Sequence, residues 1–67
     1  MITLKSIGQN IVACRKQRNL TQEDLAGKAE LDRSYLSEVE NGHKNLSVTT
    51  LLKIADALDV PPSKLID

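Results

Sequence analysis

The sequence predicts an all-α domain of about five helices, and three observations support this fold class. No segment alternates apolar and polar residues for long enough to form a strand. Apolar residues instead recur at spacings of three and four, as at Leu4, Ile7, Ile11 and Cys14. Residues that commonly cap helices separate the remaining segments. Because 67 residues leave no room for a second core, residues 1–67 are predicted to form a single domain.

The first two helices follow from the apolar spacing and from one cap. The first helix carries the apolar stripe and is expected to stop at Asn19. The second is expected from about Gln22 to Lys28. Thr21 is a suitable N-cap, and Asp24, three residues later, places a carboxylate in the first turn.

The later helices are also marked by their ends. Asp32 is expected to cap the third helix, which should end at Asn41–Gly42, where glycine supplies a left-handed cap. His43–Leu46 then form a loop, and Ser47 caps a fourth helix. A short fifth helix is predicted to start at Pro62. Proline lacks a backbone N–H, and this costs nothing in the first turn of a helix, where the N–H has no partner within the helix.

The third helix is predicted to have two contrasting sides. At about 100° per residue, Leu36, Val39 and Glu40 fall on one side, with Tyr35 at its edge. The opposite side carries mainly small or hydrogen-bonding residues, namely Arg33, Ser34, Ser37, Glu38 and Asn41. Such a side is suited to a flat polar surface, such as the edges of base pairs.

Charge does not by itself indicate a nucleic-acid partner. Nine basic residues balance nine acidic residues, whereas many nucleic-acid binders are strongly basic. The basic residues are clustered, however, with Arg15, Lys16 and Arg18 at the end of the first helix and Arg33 at the start of the third. A few local phosphate contacts are therefore possible, and non-specific affinity for DNA is expected to be weak.

Composition excludes several other classes of protein. Cys14 is the only cysteine and there is one histidine, which excludes an internal disulfide and a Cys/His zinc site. Cys14 lies on the apolar stripe and is expected in the core. No apolar run approaches the roughly 20 residues of a membrane span, and no signal peptide is evident, so a cytoplasmic protein is expected. No metal, cofactor or small-molecule ligand is predicted, and nothing suggests an enzyme.

A resemblance to a known family becomes specific in the second and third helices. The segment Gln22–Asn41 resembles the helix-turn-helix of the phage Cro and repressor (XRE-like) class. The matching positions are Leu25, Ala26, Ala29, Leu31, Leu36, Val39 and Glu40-Asn41-Gly42, followed by Leu51-Leu52-Lys53-Ile54-Ala55 and Leu58. The similarity runs from about Ile7 to Leu65. Within the class, LDRSYLS, NGHKNLS and the short length are most similar to restriction–modification controller proteins.

The resemblance implies two structural features. Arg15 corresponds to a first-helix arginine that pairs with the glutamate at Glu40. Glu30 occupies a turn position that the family usually fills with glycine in a left-handed conformation. A residue other than glycine in that left-handed conformation reduces the stability of the fold by on the order of 1 kcal/mol.

The resemblance also implies DNA contacts, with the third helix in the major groove. Arg33 is expected to read guanine through O6 and N7, and Ser34 and Ser37 allow close approach. Glu38 either accepts from cytosine N4 or repels the wrong sequence. Phosphate or backbone contacts are expected at Gln22, Tyr35, Asn41, His43, Lys44 and Asn45. The alternatives are solvated charges at Arg33 and Lys44, a core-edge role for Tyr35 and an ordinary loop residue at His43.

Surplus apolar residues suggest an oligomer. Leu51, Ile54, Ala55 and Leu58 already supply a core stripe for the fourth helix. Further apolar residues in and around that helix are Leu46, Val48, Leu52, Leu65 and Ile66. These residues either complete the core of a small protein or form the interface of a symmetric homodimer. A homodimer would present the third helix of each protomer to one of two half-sites about one helical turn apart.

Taken with the resemblance, these features predict a homodimeric, sequence-specific transcriptional regulator that binds a palindromic operator. The implied partners are double-stranded DNA, a second copy of the chain and RNA polymerase. A controller protein would time the expression of a restriction endonuclease relative to its methyltransferase. The alternative from another class is a helical protein-interaction module or an antitoxin-type regulator.

Overall fold

The computed structural model describes all 67 residues and contains four α-helices and no strand, which confirms the all-α class. The helices are α1 (Leu4–Gln17), α2 (Gln22–Ala29), α3 (Arg33–Glu40) and α4 (Val48–Leu58). The short fifth helix predicted to start at Pro62 is a three-residue 3₁₀ helix, Pro62–Lys64, so the α-helices number four and not five. Its hydrogen bonds each span three residues, because the chain turns at once to bury Leu65.

Helices α2, α3 and α4 begin directly after the cap residues that the sequence predicted. Thr21 and Asp24 each accept a hydrogen bond from the other's backbone N–H, which completes a capping box at α2. The side chains of Asp32 and Ser47 each accept from the backbone N–H three residues later, at the starts of α3 and α4. The cap of α1, which was not predicted, is provided by Thr3 in the same way.

Several helices end in a left-handed residue that is not glycine. Asn19, Glu30 and Asp59 have φ angles of 57°, 57° and 56°. The left-handed conformation expected at Glu30 is therefore present. Gly42, after α3, has a φ of 78° at no steric cost.

The core lies where α1 and α4 cover the α2–α3 pair, with α1 packed on α3 and α4 packed on α2. It is aliphatic apart from Cys14, which is buried there as expected. The buried apolar residues are Ile11, Cys14, Leu25, Ala26, Ala29, Leu36, Val39, Ile54, Ala55, Leu58 and Leu65. None of the helices combines the length and the apolar character that crossing a membrane requires.

Helix α1 approaches the end of α3 closely at Gly8, which sequence analysis did not single out. A methyl group at Gly8 would overlap the carbonyl oxygens of Val39 and Glu40 at the end of α3. Glycine therefore lets α1 lie directly against the backbone of α3.

Candidate nucleic-acid interface

The two predicted sides of α3 differ in burial as the helical spacing indicated. Leu36, Val39 and Glu40 are buried. On the opposite side Arg33, Ser34, Glu38 and Asn41 are exposed, whereas Ser37 is half-buried. The molecule therefore presents a polar helix face of short and hydrogen-bonding side chains to solvent.

The buried side of α3 is held by a carboxylate with three donors. Arg15 Nε lies 2.9 Å from Glu40 Oε2, and Arg15 Nη2 lies 3.2 Å from Glu40 Oε1. Gln22 Nε2 donates to Glu40 Oε1 at 2.7 Å. The Glu40 side chain is only 2% exposed and that of Arg15 12% exposed. The expected Arg15–Glu40 pair is thus present, and with Gln22 it ties α1, α2 and α3 together.

The structure gives Gln22 a second role beside the phosphate contact expected for it. The sequence assigned its side chain to a DNA phosphate, but one N–H of the amide is already donated to Glu40. Gln22 is half-buried at the first position of α2. The second N–H of the amide has no partner within the protein, so Gln22 can position α2 against α3 and still donate to a DNA phosphate, a contact that stays a prediction.

Tyr35 also makes an internal hydrogen bond. Its hydroxyl donates to the backbone oxygen of Asn45 at 3.1 Å. The ring is half-buried and packs on the hydrophobic core. Tyr35 therefore lies at the edge of the core and anchors the loop that follows α3, and its expected contact with a phosphate stays a prediction.

That loop brings further polar groups beside the exposed face of α3. His43, Lys44 and Asn45 are all exposed. Lys44 Nζ lies 3.8 Å from Glu38 Oε2, an ion pair that sequence analysis missed. The spacing of six residues gave no helical signal for this pair, because the chain reverses after α3 and folds the loop back.

A shallow polar recess lies between the start of α2 and the start of α3. Its lining includes Arg15, Thr21, Gln22 and Arg33. Glu23 also lines this recess, and the guanidinium of Arg15 is already hydrogen-bonded to Glu40 and to the backbone oxygen of Leu20. Arg33 and the N-terminus of α2 are therefore the groups at this concave surface that could meet an anion. Arg33 therefore borders this recess as well as the exposed face of α3.

The apolar residues assigned to a dimer interface do not all lie on the surface. Val48, Leu52 and Ile66 are exposed, and Leu46 is half-buried against the core. Leu65 is fully buried within the chain, so its assignment to the interface was wrong. It fills the core below the 3₁₀ turn, where no partner can reach it.

Comparison with known proteins places this geometry in a family. A model of the helix-turn-helix family matches residues 11–65. The chain belongs to the helix-turn-helix family. This confirms the class recognised from Gln22–Asn41.

Three relatives illustrate the family. The restriction–modification controller protein C.AhdI from Aeromonas hydrophila superposes with a TM-score of 0.91 at 44% identity, over 92% of this chain and 94% of that one. SinR, a regulator of biofilm formation solved in complex with DNA, superposes with a TM-score of 0.86 at 39% identity, over 91% of this chain and 98% of that one. The immunity repressor of Bacillus phage phi105 is 46% identical over 91% of this chain, which spans only 42% of the repressor's length. All three are regulators by name, and none is an enzyme.

Proposed function

We propose that this protein is a sequence-specific transcriptional regulator that binds operator DNA through the exposed face of α3. The observation that carries the proposal is the rigid mounting of that face. Glu40 is buried with three donors directly behind the exposed residues. A preorganised polar helix at the surface meets the geometric needs of major-groove recognition. SinR, whose fold is similar, has been solved in complex with DNA.

Arg33 is the proposed base-reading residue, with Ser34 and Ser37 allowing close approach. The guanidinium of Arg33 is exposed at the start of α3, and its planar fork matches guanine O6 and N7. The recess that it borders is the proposed seat of a phosphate, with Gln22 and the N-terminus of α2. Asn41, His43, Lys44 and Asn45 remain proposed contacts to the DNA backbone.

The protein is further proposed to act as a homodimer on a palindromic operator. Val48 and Leu52 on α4 and Ile66 near the end of the chain expose apolar surface that the monomer leaves uncovered. One recognition helix reads only a few base pairs, so pairing two of them increases specificity and affinity. The remaining partner proposed here is RNA polymerase, which an activator would contact at the promoter.

Among regulators, the role of restriction–modification controller is favoured. Similarity to C.AhdI covers nearly the whole of both chains. Such a protein would activate at low dose and repress at higher dose, and so delay the endonuclease relative to the methyltransferase. A protein-interaction module or antitoxin-type regulator is the second candidate, favoured by the zero net charge and by Glu38 on the exposed face.

Selection of bound duplexes from a random pool tests the proposed function. A palindromic consensus is expected, with half-sites about one helical turn apart. Arg33→Ala should cost about 1–3 kcal/mol of binding and relax the preference at one base pair of each half-site. Failure to enrich any sequence, or binding that does not weaken as salt rises, would favour the protein-interaction alternative.

The dimer is tested separately by Leu52→Asp. A buried, unpaired carboxylate in the interface is unfavourable, so the variant should be monomeric and should bind the selected duplex weakly. Sedimentation at low micromolar concentration measures the oligomeric state. A variant that remains dimeric at that concentration would rule out the α4 surface as the interface.

A further inference from the structure

We propose that Glu38 and Lys44 form a switch between non-specific and specific DNA binding, an inference that rests on the function proposed above. In the free protein the ammonium of Lys44 lies 3.8 Å from the carboxylate of Glu38. At a matching site, a cytosine amino group takes the place of Lys44 beside Glu38. Lys44 is then released to a DNA phosphate. At other sites Lys44 stays with Glu38, and that phosphate contact is lost.

The loop that carries Lys44 is held in place on both sides. His43 N–H donates to the backbone oxygen of Glu38 itself at 2.9 Å, as part of the cap that ends α3. The Tyr35 hydroxyl donates to the backbone oxygen of Asn45 at 3.1 Å. The backbone of Lys44 is therefore fixed relative to α3, and only its side chain is free to change partner. The pair is a product of the fold rather than a chance meeting of two flexible segments.

The ion pair itself contributes little to folding. The side chain of Glu38 is 51% exposed and that of Lys44 54% exposed, and their charged atoms are separated by more than a hydrogen-bond distance. Solvent screens such pairs strongly. The pair therefore exchanges partners at small cost, unlike the buried carboxylate of Glu40 with its three donors.

Electrostatics makes the exchange dependent on the DNA sequence. Glu38 is the only exposed carboxylate of α3. If Lys44 leaves, this anion faces the negative potential of the groove without a counter-charge, which is unfavourable. A cytosine N4 amino group offsets this by donating a hydrogen bond to the carboxylate. Where no cytosine is present nothing replaces Lys44, so the protein makes one phosphate contact fewer per protomer.

The test is a double-mutant cycle in which the salt dependence of DNA affinity is measured for each protein. The proteins are the native chain, Glu38→Gln, Lys44→Gln and the double variant. The probes are a duplex selected from the random pool and a scrambled duplex of the same length in which A·T pairs replace all G·C pairs, so that no register offers a cytosine. Log affinity falls linearly with log salt, and the steepness of that fall is called the slope here. Each lost phosphate contact reduces the slope by about 0.9.

In the native background, Lys44→Gln should lower the slope by about 0.9 per protomer on the selected duplex and leave it unchanged on the scrambled duplex. Glu38→Gln frees Lys44, so the slope on the scrambled duplex should rise by about the same amount. In that background, Lys44→Gln should lower the slope on both duplexes. Glu38→Gln should also relax the preference for cytosine at one position of each half-site.

Matched controls make the same charge changes away from α3. Asp67→Asn and Lys64→Gln lie at the end of the chain and should leave the difference between the two duplexes unaltered. Thermal unfolding verifies that every variant is folded. Equal effects of Lys44→Gln on both duplexes in the native background would overturn the switch and leave the proposed function standing. Absence of any selected duplex would reject the proposed function and the switch with it.

Discussion

Glu38 and Glu40 lie two residues apart on α3, yet their surroundings differ greatly. The side chain of Glu40 is buried and accepts hydrogen bonds from Arg15 and Gln22. That of Glu38 is half exposed and has one distant partner, Lys44. Burial with full hydrogen bonding makes the first carboxylate part of the architecture. Exposure leaves the second carboxylate available to a ligand, and this difference separates the two sides of the recognition helix.

Replacing each of these carboxylates by its amide tests the comparison most directly. Glu40→Gln removes the charge that compensates Arg15 in the interior and should cost about 3 kcal/mol. Glu38→Gln should change the stability by less than about 0.5 kcal/mol, because its pair is exposed. Urea unfolding of the two variants measures the difference. Equal stabilities would mean that the buried pair has no architectural role.

The contact between α1 and the end of α3 should be the next most sensitive point. Gly8→Ala inserts a methyl group against the carbonyl oxygens of Val39 and Glu40 and should cost about 1–3 kcal/mol. Gly27→Ala in α2 is the matched control, since its methyl group meets no atom within 4 Å. That variant should gain about 0.5–1 kcal/mol from helix propensity. Thermal unfolding decides whether the two changes have opposite signs.

The turn before α3 is expected to give a smaller effect of favourable sign. Glu30 has a φ of 57°, in the left-handed region that disfavours side chains. Glu30→Gly should therefore stabilise the fold by about 1 kcal/mol, reduced by the greater entropy that glycine gives the unfolded chain. Denaturant unfolding measures this gain. A loss of stability would show that the Glu30 side chain makes a contribution larger than its strain.

Asp24 is a third carboxylate that extends the comparison, because it is exposed but hydrogen-bonded. Hydrogen bonds from the Thr21 backbone and side chain hold the pKa of Asp24 below its ordinary value of 3.8. Its contribution to stability should be complete above the unfolded pKa and lost as pH falls through the lower folded pKa. The stability difference between native chain and Asp24→Asn, followed from pH 7 to acid, should shrink accordingly. A difference that stays constant with pH would exclude the charge as its source. This effect should be the smallest of the four.

Sequence patterns predicted much of this molecule where the interactions are local. The caps at Thr21, Asp32 and Ser47 lie within three residues of their partners, so the chain order alone reveals them. The buried and exposed sides of α3 follow from the helical repeat. The Arg15–Glu40 pair was anticipated only through the family resemblance, since 25 residues separate its members.

Other features were decided by packing between distant segments. Leu65 has the same apolar character as Ile66, yet only Leu65 fills the core. The sequence did not reveal the hydrogen bond that the Tyr35 hydroxyl donates within the protein. Its acceptor is a backbone oxygen of the following loop, and side-chain patterns do not indicate backbone acceptors. Gly8 was missed because the α3 carbonyl groups that it contacts are distant in the sequence, and the Glu38–Lys44 pair was missed because the chain reverses after α3.

The sequence by itself determined the helical class, the helix starts and the polar face of α3, since these depend on neighbours three or four residues apart. The tertiary structure alone decided which polar groups remain free for a ligand. Gln22 and Tyr35 are partly committed to internal acceptors, whereas Arg33 and the Glu38–Lys44 pair stay at the surface. The physical reason is that a hydrogen-bonding group acquires its partner only when the folded chain brings the two together, and no residue pattern records that distance.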